Sequence, residues 1–285
     1  MNYRWLSPSL HSTADASARY FERNWGMPKF KVEEPIDPTI EYKPTLHSVD
    51  AEFYLVCIDV SESPYPRGLE GFVLRCITEC LPVKSFVALP EGATSPDFRR
   101  DLGLARQSGI GILEVSPGGV KILHPALPLS LAAVRPVDHS RFPKKYRYHL
   151  TQAETTFKQG NPGKACSMVY DEIEALFRKV AKKTRDLGLW RPLKPGEKPP
   201  QIHNKRAWAK VIEAVMEHLD PKKCGYLERS LMARILGVTP HRNDTAHKPA
   251  NRDELVRLHK ELRTRFENAV DLLADLIAAS KPLHV

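Results

Sequence analysis

The sequence predicts an α/β domain followed by an all-α domain, and three observations lead there. The chain has 285 residues, long for one core and suited to two domains of roughly 100–200 residues each. Its first half alternates short runs rich in strand-favouring residues with helical repeats, an order that builds a small mixed sheet flanked by helices. Its second half repeats apolar residues every three or four positions, the pattern of a helical bundle. A proline-rich connection over 124–145 places the boundary near Asp138, giving domains of residues 1–137 and 138–285.

In the first half, a helix is expected near Ser12 to Trp25, then strands in "TIEYKPTLH" and "FYLVCIDV". "GLEGFVLRCITECL" has helical spacing, with Leu69, Phe72, Val73, Cys76 and Cys80 on one face. "KSFVALP" reads as a strand, and Ser95 and Pro96 start a helix running to about Gln107. "IGILEV" and "VKIL" pair through Ser116-Pro117-Gly118-Gly119. Those two glycines lie between strands and open no helix, so they predict a turn rather than a phosphate-cradling loop.

In the second half, Tyr146, Leu150, Ala153 and Phe157 mark the inner face of one helix. Asn161 and Pro162 open another, with Ala165, Val169, Ile173, Leu176 and Val180 inward. A basic excursion, "LWRPLKPGEKPPQIHNKR", precedes helices at about Lys205 to Leu219 and Leu227 to Leu236. In the last helix Asn251 and Glu254 form a capping box, and Leu255, Leu258, Leu262, Phe266, Ala269, Leu273 and Leu276 trace a long stripe.

Composition narrows the function classes. With 42% hydrophobic and 27% charged residues, the chain is neither disordered nor membrane-embedded. No run of about 18 apolar residues exists to span a bilayer, and the amino terminus has no apolar signal core, so a cytoplasmic protein with no membrane partner is expected. Cys57, Cys76, Cys80, Cys166 and Cys224 lie in apolar segments without CxxC spacing and read as reduced core residues. No His/Cys cluster has metal-ligand spacing, so neither a metal nor another cofactor is expected. The net charge of +9 is uneven: residues from 151 onward carry 25 Lys+Arg against 17 Asp+Glu, whereas residues 1 to 150 carry 18 against 17. A cationic domain attracts polyanions through counterion release, which favours a nucleic-acid partner; the bland alternative is a solvated basic face.

The segment "TPHRNDTAHKP", Thr239 to Pro249, gathers the residue types of a reactive site. Thr239 suits an N-cap and Pro240 a first helical position, while Pro249 disfavours helix at Lys248, so about two turns are expected. On them Asn243 and His247 share a face, and Arg242 reaches the same point with its long stem. In the last turn the helix dipole favours the imidazolium of His247, Arg242 can grip a phosphate with forked hydrogen bonds, and Asn243 can orient either. Metal-independent RNA cleavage needs these parts, because the ribose 2′-hydroxyl is the nucleophile and the protein has only to move protons and stabilise charge. Arg, Asn and His near a helix end also occur as plain surface caps.

The Arg-x4-His spacing of "RNDTAH", with Asn after the Arg and a long helix following, resembles the HEPN superfamily of nucleotide-binding and RNA-cleaving bundles. "QAETTFKQGNPGKACSMVYDEIEALFRK" is similar to the opening helix pair of that family, a Gly-containing turn followed by Ala165 and, nine residues on, Glu174. The similarity covers about residues 146 to 280. It implies a helical bundle of HEPN type in which Arg242 and His247 are the catalytic pair, Asn243 accompanies them and Glu174 helps orient the site. Arg178 lies one turn beyond Glu174, where an ordinary i,i+4 ion pair is the alternative. The resemblance further implies a homodimer with two motifs facing across a cleft, RNA as substrate, and a toxin or antiviral-defence role under an antitoxin or other regulatory partner. The basic excursion departs from a minimal bundle; Arg191, Lys194, Lys198, Lys205 and Arg206 are its candidate RNA contacts, with Trp190, Trp208, His203 and His218 nearby.

The first half, from "KPTLHSVDAEFYLVCIDVSES" to the Gly-Ile-Gly-Ile strand, resembles the restriction-endonuclease-like fold of PD-(D/E)XK type. Active members bind a metal with an acid on one strand and an acid-x-lysine on the next. Here Pro44-Thr45 stands for the first and Asp59-Val60-Ser61 for the second. One carboxylate cannot assemble a magnesium site, so this domain is expected to be inactive and to serve recognition, dimer support or control of the helical half. The whole reads as a metal-independent endoribonuclease; a non-catalytic nucleic-acid- or nucleotide-binding module is the alternative, and a magnesium-dependent DNase in the first half a third.

Overall fold

The apolar runs of the first half do form a sheet, and those of the second half a set of helices. The computed structural model describes residues 1–36, 42–132, 134–196, 208–220, 223–225, 227–238 and 249–284. These hold six strands in one mixed sheet and nine α-helices. The chain divides into one unit of Met1–Val134, Lys158–Gly160 and Pro249–Glu261, and another of Arg135–Phe157, Asn161–Lys248 and Leu262–Val285.

In the first unit the order is α1 (His11–Asn24), β1 (Lys31–Val32), β2 (Leu46–Val49), β3 (Leu55–Val60), α2 (Leu69–Glu79), β4 (Val83–Pro90), α3 (Phe98–Gln107), β5 (Gly111–Ser116), β6 (Gly119–His124) and α4 (Leu129–Ala132). The strands lie in sequence order; β3, β4 and β5 are parallel, joined by α2 and α3, and the other pairings are antiparallel. Alternation along β3 sorts its side chains between two faces. Val56, Ile58 and Val60 pack with Ala14, Ala18 and Phe21 of α1, and Leu55 and Cys57 with Leu69, Phe72, Val73 and Cys76 of α2.

The glycines of "SGIGI" have separate reasons. Gly109 has φ +78°, and a Cβ on Gly111 would fall 2.4 Å from the Phe86 ring and 2.7 Å from the Ala126 nitrogen. The second position therefore admits glycine for want of space, the first for backbone freedom.

Two expectations for this unit need correction. The strand read from "TIEYKPTLH" begins only at Leu46, its first residues lying outside the described ones. Pro44 has no N–H to give a ladder, and Thr45 instead accepts the Val60 N–H on its Oγ1 at 3.1 Å. The helix expected from Ser95-Pro96 starts at Phe98 with Asp97 as its N-cap, after a turn closed by Phe98 N–H to the Ser95 carbonyl at 3.1 Å.

The second unit takes α5 (Lys144–Lys158) up to Phe157, α6 (Pro162–Asp186), α7 (Trp208–His218), α8 (Arg229–Val238) and, from Leu262, the remainder of α9 (Arg252–Ser280). Pro162 occupies the first turn of α6, and the inward residues expected on α5 and α6 are all buried. The Phe157 and Phe266 rings meet at 4.9 Å and both are fully buried, each contributing about 1.5–3 kcal/mol by leaving water. The stripe on α9 is buried at Leu255, Leu262, Phe266, Ala269, Leu273 and Leu276, but Leu258 is half-buried and His259 beside it is buried instead. The five cysteines are buried and none is in a disulfide. Among the described residues no helix is long and apolar enough to cross a membrane.

Candidate functional site

The segment expected to carry chemistry follows directly on α8 and leads into α9. Arg242, Asn243 and His247, with the Thr239-Pro240 start of their expected helix, lie outside the described residues. Its downstream neighbour is built as the sequence predicts. Asn251 Oδ1 accepts the Glu254 N–H at 2.9 Å, and Glu254 Oε2 accepts the Ala250 N–H at 2.7 Å, so the reciprocal bond of the capping box reaches one residue further back than the usual form. Two N–H groups at the start of α9 are thereby satisfied.

On α6, Arg178 donates from Nε and Nη2 to Glu174 Oε1 at 2.9 and 2.7 Å. Both side chains are mostly buried, 19% and 15% exposed. The forked geometry fixes the carboxylate on one face of α6, which serves packing of the helix and equally serves to hold an orienting group still.

Arg191 is tied to the end of α7. Its N–H donates to the His218 carbonyl at 2.7 Å, and its guanidinium reaches the Glu217 carbonyl at 3.3 Å and the Glu217 carboxylate at 3.5 Å. Trp190 donates from Nε1 to Thr184 Oγ1 at 2.9 Å, and buried His218 contacts the Ala214 carbonyl through Nδ1 at 2.8 Å. Trp190, Arg191 and His218 thus fasten the start of the basic excursion to the bundle. Lys194 is exposed. Lys198, Lys205, Arg206 and His203 lie outside the described residues, as does the side chain of Trp208.

In the first unit the two positions that stand for nuclease acids do meet across β2 and β3, and what they form is not a metal site. Asp59 is 8% exposed, and Tyr42 donates its hydroxyl to Asp59 Oδ2. The Tyr42 ring stacks on Phe72 at 4.4 Å. Burial pushes the Asp59 carboxyl up to about 6, with the Tyr42 and Thr45 hydrogen bonds opposing. Among the described residues no group of three His, Cys, Asp or Glu side chains could hold a metal. Asp59 is a buried proton-binding group under a tyrosine.

A second buried cluster in this unit escaped the sequence reading. His259 Nδ1 contacts Ser130 Oγ at 2.7 Å and its Nε2 contacts the Tyr54 hydroxyl at 3.0 Å. Lys84 lies over the Tyr54 ring at 4.1 Å and pairs with Asp50 at 3.2 Å. Burial, helped by the Lys84 charge, takes His259 down to about 4. Ser130 and His259 are 0% and 2% exposed, so this serine–histidine contact is sealed from any substrate and holds the first turns of α9 among the residues of the sheet unit. The one signal available was a histidine interrupting a leucine stripe.

Comparison with protein-family models, curated proteins and solved structures gave no match. The residues therefore carry the functional reading by themselves.

Proposed function

We propose that this chain is a metal-independent endoribonuclease whose helical part is a HEPN-type bundle acting as a homodimer. The observation that carries the reading is the Arg-x4-His segment, Arg242 to His247, set between α8 and the capped start of α9 in the basic half of the chain. The pair α5 and α6, with its Gly-containing turn and the fixed Glu174–Arg178 fork, supports it.

In the reaction, a base takes the proton of the 2′-hydroxyl as its oxygen attacks the adjacent phosphorus, the bond from phosphorus to the 5′-oxygen breaks, and an acid delivers a proton to that leaving oxygen. His247 performs one of these transfers and its counterpart in a second copy the other. Arg242 stabilises the charge on the pentavalent phosphate, and Asn243 positions one of the pair. The products are a 2′,3′-cyclic phosphate and a 5′-hydroxyl. Such uncontrolled cleavage suits a toxin or antiviral role restrained by a regulatory partner.

The sheet-containing unit is, in the same reading, a restriction-endonuclease-like fold that no longer cuts. Asp59 under Tyr42 and Thr45 in the place of an acid support this. Incubation of the purified chain with end-labelled RNA in excess EDTA tests the proposal. Cleavage leaving cyclic-phosphate ends is expected. RNA binding without cleavage favours a non-catalytic module instead, and DNA cutting abolished by EDTA returns the activity to the sheet unit.

A further inference from the structure

His259 of α9 is a buried histidine that the cleavage chemistry leaves unused. Both its ring nitrogens are engaged, Nδ1 with Ser130 Oγ at 2.7 Å and Nε2 with the Tyr54 hydroxyl at 3.0 Å. Tyr54 directly precedes β3, and Ser130 lies on α4. A neutral imidazole has one donor and one acceptor nitrogen, so one of the two hydroxyls donates to the ring and the other accepts from it. Tyr54 is itself held: Asp50 Oδ1 accepts its N–H at 2.9 Å, and Lys84, over its ring at 4.1 Å, pairs with Asp50 at 3.2 Å.

A leucine at this place in the stripe would be buried without the cost of enclosing an imidazole. Apolar contacts such as those of Leu255 and Leu262 have no preferred direction, whereas hydrogen bonds fix angle as well as distance. The histidine therefore adds to burial a defined position and rotation for the first turns of α9.

That definition reaches upstream. Glu254 Oε2 accepts the Ala250 N–H at 2.7 Å and Asn251 Oδ1 the Glu254 N–H at 2.9 Å, so the chain is tied to α9 from Ala250 onward. His247 is the third residue before Ala250, and three residues reach at most about 11 Å when fully extended. A displacement of the start of α9 passes to His247 with little slack.

We propose that His259 is a positioning residue for RNA cleavage, its bonds to Ser130 and Tyr54 fixing the helix start to which the Arg-Asn-His segment leads. The inference rests on the RNA-cleaving reading and gives the sheet-containing unit a task in it, the alignment of catalytic groups.

The test measures single-turnover cleavage by the full chain at neutral pH, and its affinity for the same RNA with 2′-O-methyl riboses, which binds but cannot be cut. Tyr54→Phe removes one bond to the ring, His259→Leu removes both while suiting the leucine stripe, and His259→Gln keeps a donor and an acceptor. The first two are expected to slow cleavage about 10- to 100-fold, the effect of misplacing a catalytic group by about 1 Å, with affinity within twofold of wild type. His259→Gln should recover much of the rate lost in His259→Leu. Variants that stay folded and cut at the wild-type rate overturn the proposal, as does a loss of affinity that accounts for the whole fall in activity, or a glutamine variant no faster than the leucine one. Tyr54→Phe decides the matter if His259→Leu does not fold. A wild-type chain that does not cut RNA sinks the cleavage reading and this proposal together, whereas a cutting wild type with equally fast variants sinks the positioning role alone.

Discussion

The two units enclose different chemistry. The sheet-containing unit buries two carboxylates, Asp59 and Asp101, besides His47 and His259, whereas the polar or charged residues buried in the helical unit, among the described ones, are Thr184, His218 and Ser280. The basic surplus lies in the second half of the sequence. A carboxylate closed beneath a tyrosine, as Asp59 is, has lost the access that metal-assisted hydrolysis requires. The contrast is between a unit that encloses carboxylates and one in which, among the described residues, the buried polar groups are two hydroxyls and an imidazole.

The largest effect that sharpens this contrast is expected in the helical core. Phe266 is 0% exposed, and Phe266→Ala should cost about 3–5 kcal/mol in urea unfolding. Because the site is hydrocarbon, the cost should be the same at pH 5 and pH 7; a strong pH dependence would erase the distinction between the units.

The sheet unit should behave otherwise, through two groups that oppose each other. His259, held down to about 4, supports folding fully above its ordinary pKa of about 6.5 and loses that support as pH falls towards 4, by about 3 kcal/mol. Asp59, pushed up to about 6, penalises folding at neutral pH by a similar amount, about 3 kcal/mol, and the penalty is relieved as pH falls below 6. In the wild type the two trends offset. Asp59→Asn should therefore raise stability at pH 7 and expose a steep decline between pH 6.5 and 4, while His259→Gln should make the chain gain stability relative to wild type as pH falls through 6. Parallel pH profiles for all three proteins in denaturant titrations would contradict this pairing. A smaller change is expected at the start of α9, where Asn251→Ala removes the cap and should cost about 1 kcal/mol at either pH, read as a lower unfolding midpoint.

Much of the fold was legible because burial and periodicity agree. The faces of α2, α5 and α6 follow three-and-four spacing, and β3 through β6 follow from strand-favouring runs bounded by turns. β1 was not legible, since two residues have no period. Tyr42 and Lys43 were read into the strand because their composition suits one, while Pro44 cannot complete a ladder and the strand begins at Leu46. His259 was passed over for Leu258 because a stripe argument ranks side chains by hydrophobicity, and a histidine that finds Ser130 and Tyr54 is buried for its hydrogen bonds. The capping box at Asn251 was readable to within one residue of its reciprocal bond.

The location of catalysis is tested most directly by comparing His247→Ala and Asp59→Asn, side by side, in single-turnover cleavage of one RNA in EDTA. Loss of His247 should slow cleavage by at least about 100-fold, while the Asp59 variant should cut at the wild-type rate. Undiminished cleavage by the His247 variant, with loss in the Asp59 variant, would place the chemistry in the sheet and contradict the account.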